Sequence, residues 1–192
     1  SAASDVYKRQ ELESLKMQEE VFVALLKKQA KYPVSKSTSQ IIFGNPNADL
    51  LISVFSNPHC EPCGRMHKRL RELQKKLEDK ACIQYIFSSF GGDLDQSNKF
   101  LISAYQNNTI ENSEEIYDLW FNGGKYNTTD FLNKYQYDIN APAVEQEFRT
   151  HEEWKKETKL MATPTILFNG YELPDVYKIE DLIFYKDLRI EM

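Results

Sequence analysis

Residues 50–87 read LLISVFSNPHCEPCGRMHKRLRELQKKLEDKACIQYIF. The stretch opens and closes on apolar runs of strand length, LLISVF at 50–55 and CIQYIF at 82–87. Runs of this kind suit strands covered on both faces. Between them, Ser56-Asn57-Pro58-His59 reads as a loop, and Glu61 to about Asp79 as a helix. Met66, Leu70, Leu73 and Leu77 recur at spacings of four, three and four, which is one apolar stripe on that helix. Strand, loop, helix and strand in this order make a βαβ unit, and such units favour parallel strands. Cys60 and Cys63 stand where the loop becomes the helix.

Upstream, Ile41-Ile42-Phe43 is a short strand closed by Gly44-Asn45-Pro46, and the Ser/Thr-rich segment 34–40 is a loop. Glu11 to about Gln29 carries Leu12, Leu15, Phe22, Leu25 and Leu26 at helical spacing and is expected to form one amphipathic helix. Tyr32-Pro33 ends it, because the residue before proline resists the helical region. Residues 1–10 (SAASDVYKRQ) differ in character from the rest; 5–10 resemble the translation of a transposon end used as a sequencing adaptor. They are set apart as an artefact, with the gene expected to continue upstream.

Downstream, residues 93–138 hold no convincing strand. Phe100, Leu101, Ala104 and Tyr105 mark one helix there, Ile116, Leu119 and Trp120 a second, and Phe131, Leu132 and Tyr135 a third. Asn107-Asn108 and Gly123-Gly124 separate them. Pro142 starts a further helix over 143–159, with Val144, Phe148, His151 and Trp154 or Lys155 on its inner face. After Met161-Ala162-Thr163-Pro164 comes a third strand, TILF at 165–168. Asn169-Gly170 is a hairpin turn leading into Tyr171-Glu172-Leu173, and 179–185 is a terminal helix. The expected organisation is an N-terminal helix and linker over 11–40 and an α/β domain over 41–192 with a helical insertion at 93–138.

The chain has 192 residues, 41% hydrophobic and 28% charged, an ordinary balance for one globular domain. Its net charge of −5 argues against nucleic-acid binding, since phosphate contacts need clustered Lys and Arg. The basic stripe from Arg65 to Lys76 is interleaved with leucines and reads as a solvated helix face. No apolar run approaches the ~20 residues of a membrane span. Three cysteines are too few for a framework of several bridges, so a Cys-x-x-Cys points to chemistry.

Thiolate is the reactive form of cysteine, and a helix N-terminus favours it through unpaired N–H groups and a partial positive charge. Cys63 lies about one turn beyond Cys60, within reach of a disulfide. One cysteine can then attack a substrate disulfide while the other resolves the mixed intermediate. Of the residues between and beside them, Glu61 is expected to raise the Cys60 pKa by its charge, and His59, if protonated, to lower it. With Pro62 they are the tuning residues. Pro164 at a strand start is where a sheet tolerates proline.

The combination SNPHCEPC, an amphipathic helix and a later ATPTILFNGYELP resembles the thioredoxin superfamily. The helical insertion makes it similar to the DsbA-type branch, and to the thioredoxin-like domain C-terminal to bacterial vitamin K epoxide reductase-type membrane proteins. The resemblance implies a central mixed sheet flanked by helices, with the insertion before the Thr-Pro loop. It implies a protein dithiol–disulfide oxidoreductase without cofactor, facing the bacterial envelope. Its partners would be protein thiols and disulfides and a vitamin K epoxide reductase-type membrane domain. It implies Cys60 as nucleophile, Cys63 as resolving thiol, Pro164 as a cis proline and Thr163 as the substrate-binding residue before it. One departure stands out: the buried acid many such proteins keep six residues before the first cysteine is here Val54.

Two other readings compete. Cys60, Cys63 and His67, with Cys82 or His59, would supply four ligands to zinc. Alternatively, the fold would serve as a non-catalytic peptide-binding module. Cys82, at a strand start, is expected to be a small buried apolar residue, and His67 a surface histidine.

Overall fold

The computed structural model describes residues 1–88 and 90–192. The helices α1 (Ala2–Lys16) and α2 (Glu19–Lys27) precede strands β1 (Ile42–Gly44) and β2 (Leu50–Ser56). Helix α3 (Glu61–Leu77) leads to β3 (Ala81–Phe87). Four helices follow: α4 (Asp93–Gln106), α5 (Ile110–Phe121), α6 (Thr128–Tyr135) and α7 (Pro142–Thr158). The chain then forms β4 (Thr165–Phe168) and β5 (Tyr171–Glu172). Three 3-10 segments, Glu78–Lys80, Gly124–Asn127 and Ile179–Tyr185, fill the connections and the C-terminal region.

The strands form one mixed sheet in the order β1-β3-β2-β4-β5. β2 and β3 pair in parallel from Leu50↔Ala81 to Ser56↔Phe87, as the βαβ reading requires, and the remaining pairs are antiparallel. Every residue of β2 is buried because both faces of the sheet are covered. Leu50, Ile52 and Val54 enter the larger core with Leu70, Leu73 and Leu77 of α3 and Phe22 and Leu26 of α2. Leu51 and Phe55 alternate to the other face and meet Ile86, Leu167 and Trp154 of α7. Ser53, on the same side as Leu51 and Phe55, donates to the Gln84 side chain, whose amide donates to the Ser35 and Ser39 carbonyls. That network explains how a hydroxyl is tolerated inside an apolar strand.

Helices α4 through α6 lie between β3 and α7, over the stretch read as a helical insertion. It joins the larger core through Phe100, Tyr117 and Trp120, all fully buried. Two expectations need correction. The single helix expected over 11–29 is two, because α1 ends at Lys16. The Lys16 carbonyl accepts from the Tyr177 and Tyr185 hydroxyls, and α2 then turns to stack Phe22 on Tyr185 at 3.8 Å. Aromatic residues about 160 positions away therefore set the break, and no local breaker marks it. The terminal helix at 179–185 is of the 3-10 type.

Both sheet edges carry extra partners. Lys31 bridges Tyr171, the Tyr32 N–H donates to the Gly170 carbonyl at 2.8 Å, and the Glu172 N–H donates to the Ala30 carbonyl at 3.0 Å. At the opposite edge, the Tyr105 hydroxyl donates to the Ile42 carbonyl at 2.9 Å.

Candidate active site

β2 delivers the chain into the loop 57–59, and Cys60 becomes the N-cap of α3 with an extended backbone. The Cys60 Sγ accepts from the Cys63 N–H at 3.2 Å, the place usually taken by a Ser or Asp side chain. Pro62 lies in the first turn, where a helix needs no N–H. Cys60 and Cys63 are joined by a disulfide. The two sulfurs are unequal: Cys60 is partly exposed, whereas Cys63 is 1% exposed. Cys63 Sγ accepts from the Asn57 N–H at 3.4 Å. The Thr163–Pro164 peptide is cis, and the Thr163 hydroxyl approaches Cys60 Sγ at 3.7 Å. Four residues from opposite ends of the domain thus converge at one helix N-terminus.

The tuning residues sit differently from the expectation. His59 is half-buried, with Nε2 2.6 Å from the Ser97 hydroxyl and its ring edge-on to Trp120. Burial first, and the nearby Lys125 charge second, push its pKa down, so it is neutral at neutral pH and does not counter Glu61. Glu61 is exposed but accepts from the Tyr126 hydroxyl and faces Lys125 Nζ at 3.4 Å. The Tyr126 bond first, then Lys125 and Arg65, hold its carboxyl below the usual range. Glu61, Lys125 and Tyr126 line a cleft of about 500 Å³ between α3 and the insertion. Trp120 fixes the loop from beneath, its indole N–H donating to the Pro58 carbonyl at 3.0 Å.

The places of Trp120, Lys125 and Tyr126 at the site are not legible in the sequence, which marks Trp120 only as a helix residue, because nothing local ties α5 or the turn after it to residues 58–61. Two glycine features were the available signals. Gly123-Gly124 sets the turn before Lys125, and Gly64 sits inside α3. A Cβ on Gly64 would stand 3.1 Å from Lys125 Nζ, so the glycine makes room for that ammonium.

His67 is buried at 4% exposure, a correction to its reading as a surface residue. α5 covers that side of α3, stacking Phe121 on the imidazole at 4.5 Å. Nδ1 lies 2.7 Å from the Tyr85 hydroxyl and Nε2 2.7 Å from Asp118. Burial keeps the Tyr85 hydroxyl protonated, so it donates to Nδ1, and Nε2–H donates to the Asp118 carboxylate. Burial outweighs Asp118 and leaves the His67 pKa below its ordinary value. The unfolded chain therefore takes up a proton near pH 6.5 that the folded one refuses. Stability is full above about pH 6.5 and falls as the pH drops through the lowered folded pKa, by at most about 1.4 kcal/mol per pH unit for each such histidine. His59 acts in the same direction. Urea titrations from pH 7.5 to 5 should show this acid limb, and it should be shallower in His67→Gln; an unchanged limb would assign it elsewhere.

Cys82 is fully buried on the sheet face away from α3, as expected, and burial pushes its thiol up to about 11. Val54 is packed in the larger core. The zinc reading needs Cys60, Cys63 and His67 together; here the two sulfurs are bonded to each other, and His67 is bonded to Tyr85 and Asp118. Among the described residues no group of three or more His, Cys, Asp or Glu side chains is disposed to hold a metal. No helix among them is long and apolar enough to cross a membrane.

The sequence model of a family described as Thioredoxin matches residues 36–183. No curated protein matches the chain. Among solved structures it is similar to oxidised BdbD from Bacillus subtilis, at 12% identity and a TM-score of 0.63, covering 82% of this chain and 97% of that one. A putative protein-disulfide isomerase from Pseudomonas syringae is similar at 12% identity and a TM-score of 0.62, over 76% of this chain and 97% of that one. The compact form of ScsC from Proteus mirabilis is similar at 14% identity and a TM-score of 0.62, over 97% of this chain and 96% of that one. At such identities the likeness is one of fold.

Proposed function

The chain belongs to the thioredoxin family, and from that premise we propose that it is a protein dithiol–disulfide oxidoreductase working through Cys60 and Cys63. The observation that carries this reading is the unequal exposure of the two sulfurs, with Cys60 partly open to solvent and Cys63 1% exposed. A substrate thiolate attacks the open sulfur, Cys60. The Cys60–Cys63 bond breaks, and Cys63 leaves as a thiolate beside the Asn57 N–H. A second substrate thiolate then attacks the substrate sulfur of the mixed disulfide and releases Cys60. Two electrons pass from the substrate dithiol to the protein, and the substrate gains one disulfide. In the reverse direction Cys60 is the nucleophile and Cys63 the resolving thiol.

Thr163 is the residue on which a bound peptide would pair, since the Thr163–Pro164 segment lies directly beside Cys60. Names of similar structures, among them an oxidoreductase DsbA from Xylella fastidiosa, agree with this chemistry. We assign the chain to the bacterial envelope on its likeness to DsbA-type proteins. A vitamin K epoxide reductase-type membrane domain is the proposed acceptor that restores the disulfide.

The test is a redox titration of the pair, read by thiol alkylation and mass spectrometry. One reversible two-electron couple is expected. A midpoint near about −120 to −180 mV marks an oxidant or isomerase, and one near about −270 mV a reductant. No reversible couple would remove the enzyme reading and leave the peptide-binding alternative.

A further inference from the structure

Lys125 is an unusual tenant for its position. Its side chain is 4% exposed, and its one ion pair among the described residues is with Glu61 at 3.4 Å. The ammonium lies within van der Waals reach of Gly64, in the first turns of α3. A helix N-terminus already carries partial positive charge, so fold stability alone gives no reason to bury a cation there. Three features hold it in place. Gly64 lacks the side chain that would crowd Nζ, Tyr126 lies 5.1 Å beneath the ammonium, and the Thr128 hydroxyl donates to the Lys125 carbonyl. The same turn supplies Tyr126, whose hydroxyl donates to the other partner, Glu61. The insertion thus places one cation and one donor on the single acidic side chain that directly follows Cys60.

We propose that Lys125 is a positioning residue that cancels the charge of Glu61 and so keeps Cys60 readily ionised. The inference rests on the oxidoreductase reading. Reduction of the Cys60–Cys63 bond by a substrate dithiol takes two electrons. The substrate dithiol loses two protons as it is oxidised to its disulfide; with Cys60 ionised, one goes to Cys63 and the other to solvent. An uncancelled Glu61 carboxylate would oppose the Cys60 thiolate and disfavour that product. The charged and titratable groups in contact with Glu61 and Lys125 include Arg65 from α3 and Tyr126 from the insertion, with His59 on the loop; His67, Lys68, Arg71, Glu72 and Lys75 of α3 and Glu115 and Asp118 of α5 line the same cleft. α4 contributes Ser97 and the cis-proline loop Thr163, both uncharged.

The experiment is a double-mutant cycle on the full chain with Lys125→Met, Glu61→Gln, both together, and Lys125→Arg. The Cys60 thiolate is titrated by ultraviolet absorbance on chemically reduced protein, and the midpoint potential is measured in glutathione buffers. In Lys125→Met, the thiolate-to-thiol ratio at a given pH should fall about tenfold. The disulfide's equilibrium oxidising power should fall by a similar factor, about 30 mV for a two-electron couple. Lys125→Arg should retain the wild-type values, and the double variant should return close to them. The inference is overturned if Lys125→Met titrates like wild type, or if the double variant stays as shifted as Lys125→Met. Because the thiolate titration needs no turnover, it decides the role of Lys125 even if no reversible couple is found, an outcome that would instead remove the oxidoreductase reading.

Discussion

Replacing Cys60 by serine should abolish exchange with protein substrates, while replacing Cys63 by serine should leave intact the attack of Cys60 on a substrate disulfide and capture the substrate. The two outcomes differ because the sulfurs differ in access. Cys60 Sγ lies at the partly exposed cap of α3 beside Thr163, whereas Cys63 is covered. Serine at position 60 removes the only open sulfur of the pair, and the loss should be about a thousandfold or more, as for other covalent nucleophiles. Serine at position 63 leaves Cys60 free to open a substrate disulfide but removes the thiol that resolves the intermediate. Non-reducing gels after mixing with an oxidised, unfolded client should then show a long-lived mixed disulfide for Cys63→Ser and none for Cys60→Ser. Equal trapping by both variants would mean that the assigned order of attack is wrong.

Trp120→Ala should cost about 3–5 kcal/mol of folding stability, the range for truncating a fully buried aromatic ring. The indole is enclosed by Phe100 at 5.9 Å, Phe131 at 5.5 Å and His59 at 5.5 Å between ring centres. Its N–H is the described partner of the Pro58 carbonyl, two residues before Cys60. The variant therefore opens a cavity and also orphans an acceptor beneath the active-site loop. Trp120→Phe separates the two effects. It keeps most of the packing and loses the hydrogen bond, at an expected cost of about 1–3 kcal/mol. Denaturant unfolding of both variants measures this. A loss under about 1 kcal/mol in Trp120→Ala would show that α5 does not support the loop in the way described.

The chemistry-bearing parts of the fold were legible because their signals are local. LLISVF and CIQYIF are apolar but for the mutually bonded Ser53 and Gln84 because both faces of the sheet are covered, and Asn169-Gly170 marks its turn by backbone preference. Cys60, Cys63 and Pro164 follow from short motifs. The unread parts depend on contacts between distant segments. His67 looks like a polar residue on a basic helix until α5 covers it with Phe121 and Asp118. Glu61 looks like an unopposed carboxylate until a turn some sixty residues away brings Lys125 and Tyr126 to it. The end of α1 is set by the Tyr177 and Tyr185 hydroxyls. Charge and burial at single positions are tertiary properties, and periodicity carries no record of them.

The covered rims of the sheet matter for the company such a protein keeps. An unfolded client arrives with long stretches of unpaired backbone, and an open strand edge is the natural template for such a chain to pair with and aggregate on. Here the outer side of β5 is already bridged by residues 30–32, and the Tyr105 hydroxyl occupies a carbonyl on the outer side of β1. On the proposed reading, a client finds less free edge to lodge on along these flanks, and its visit would centre on the sulfur and the threonine beside it.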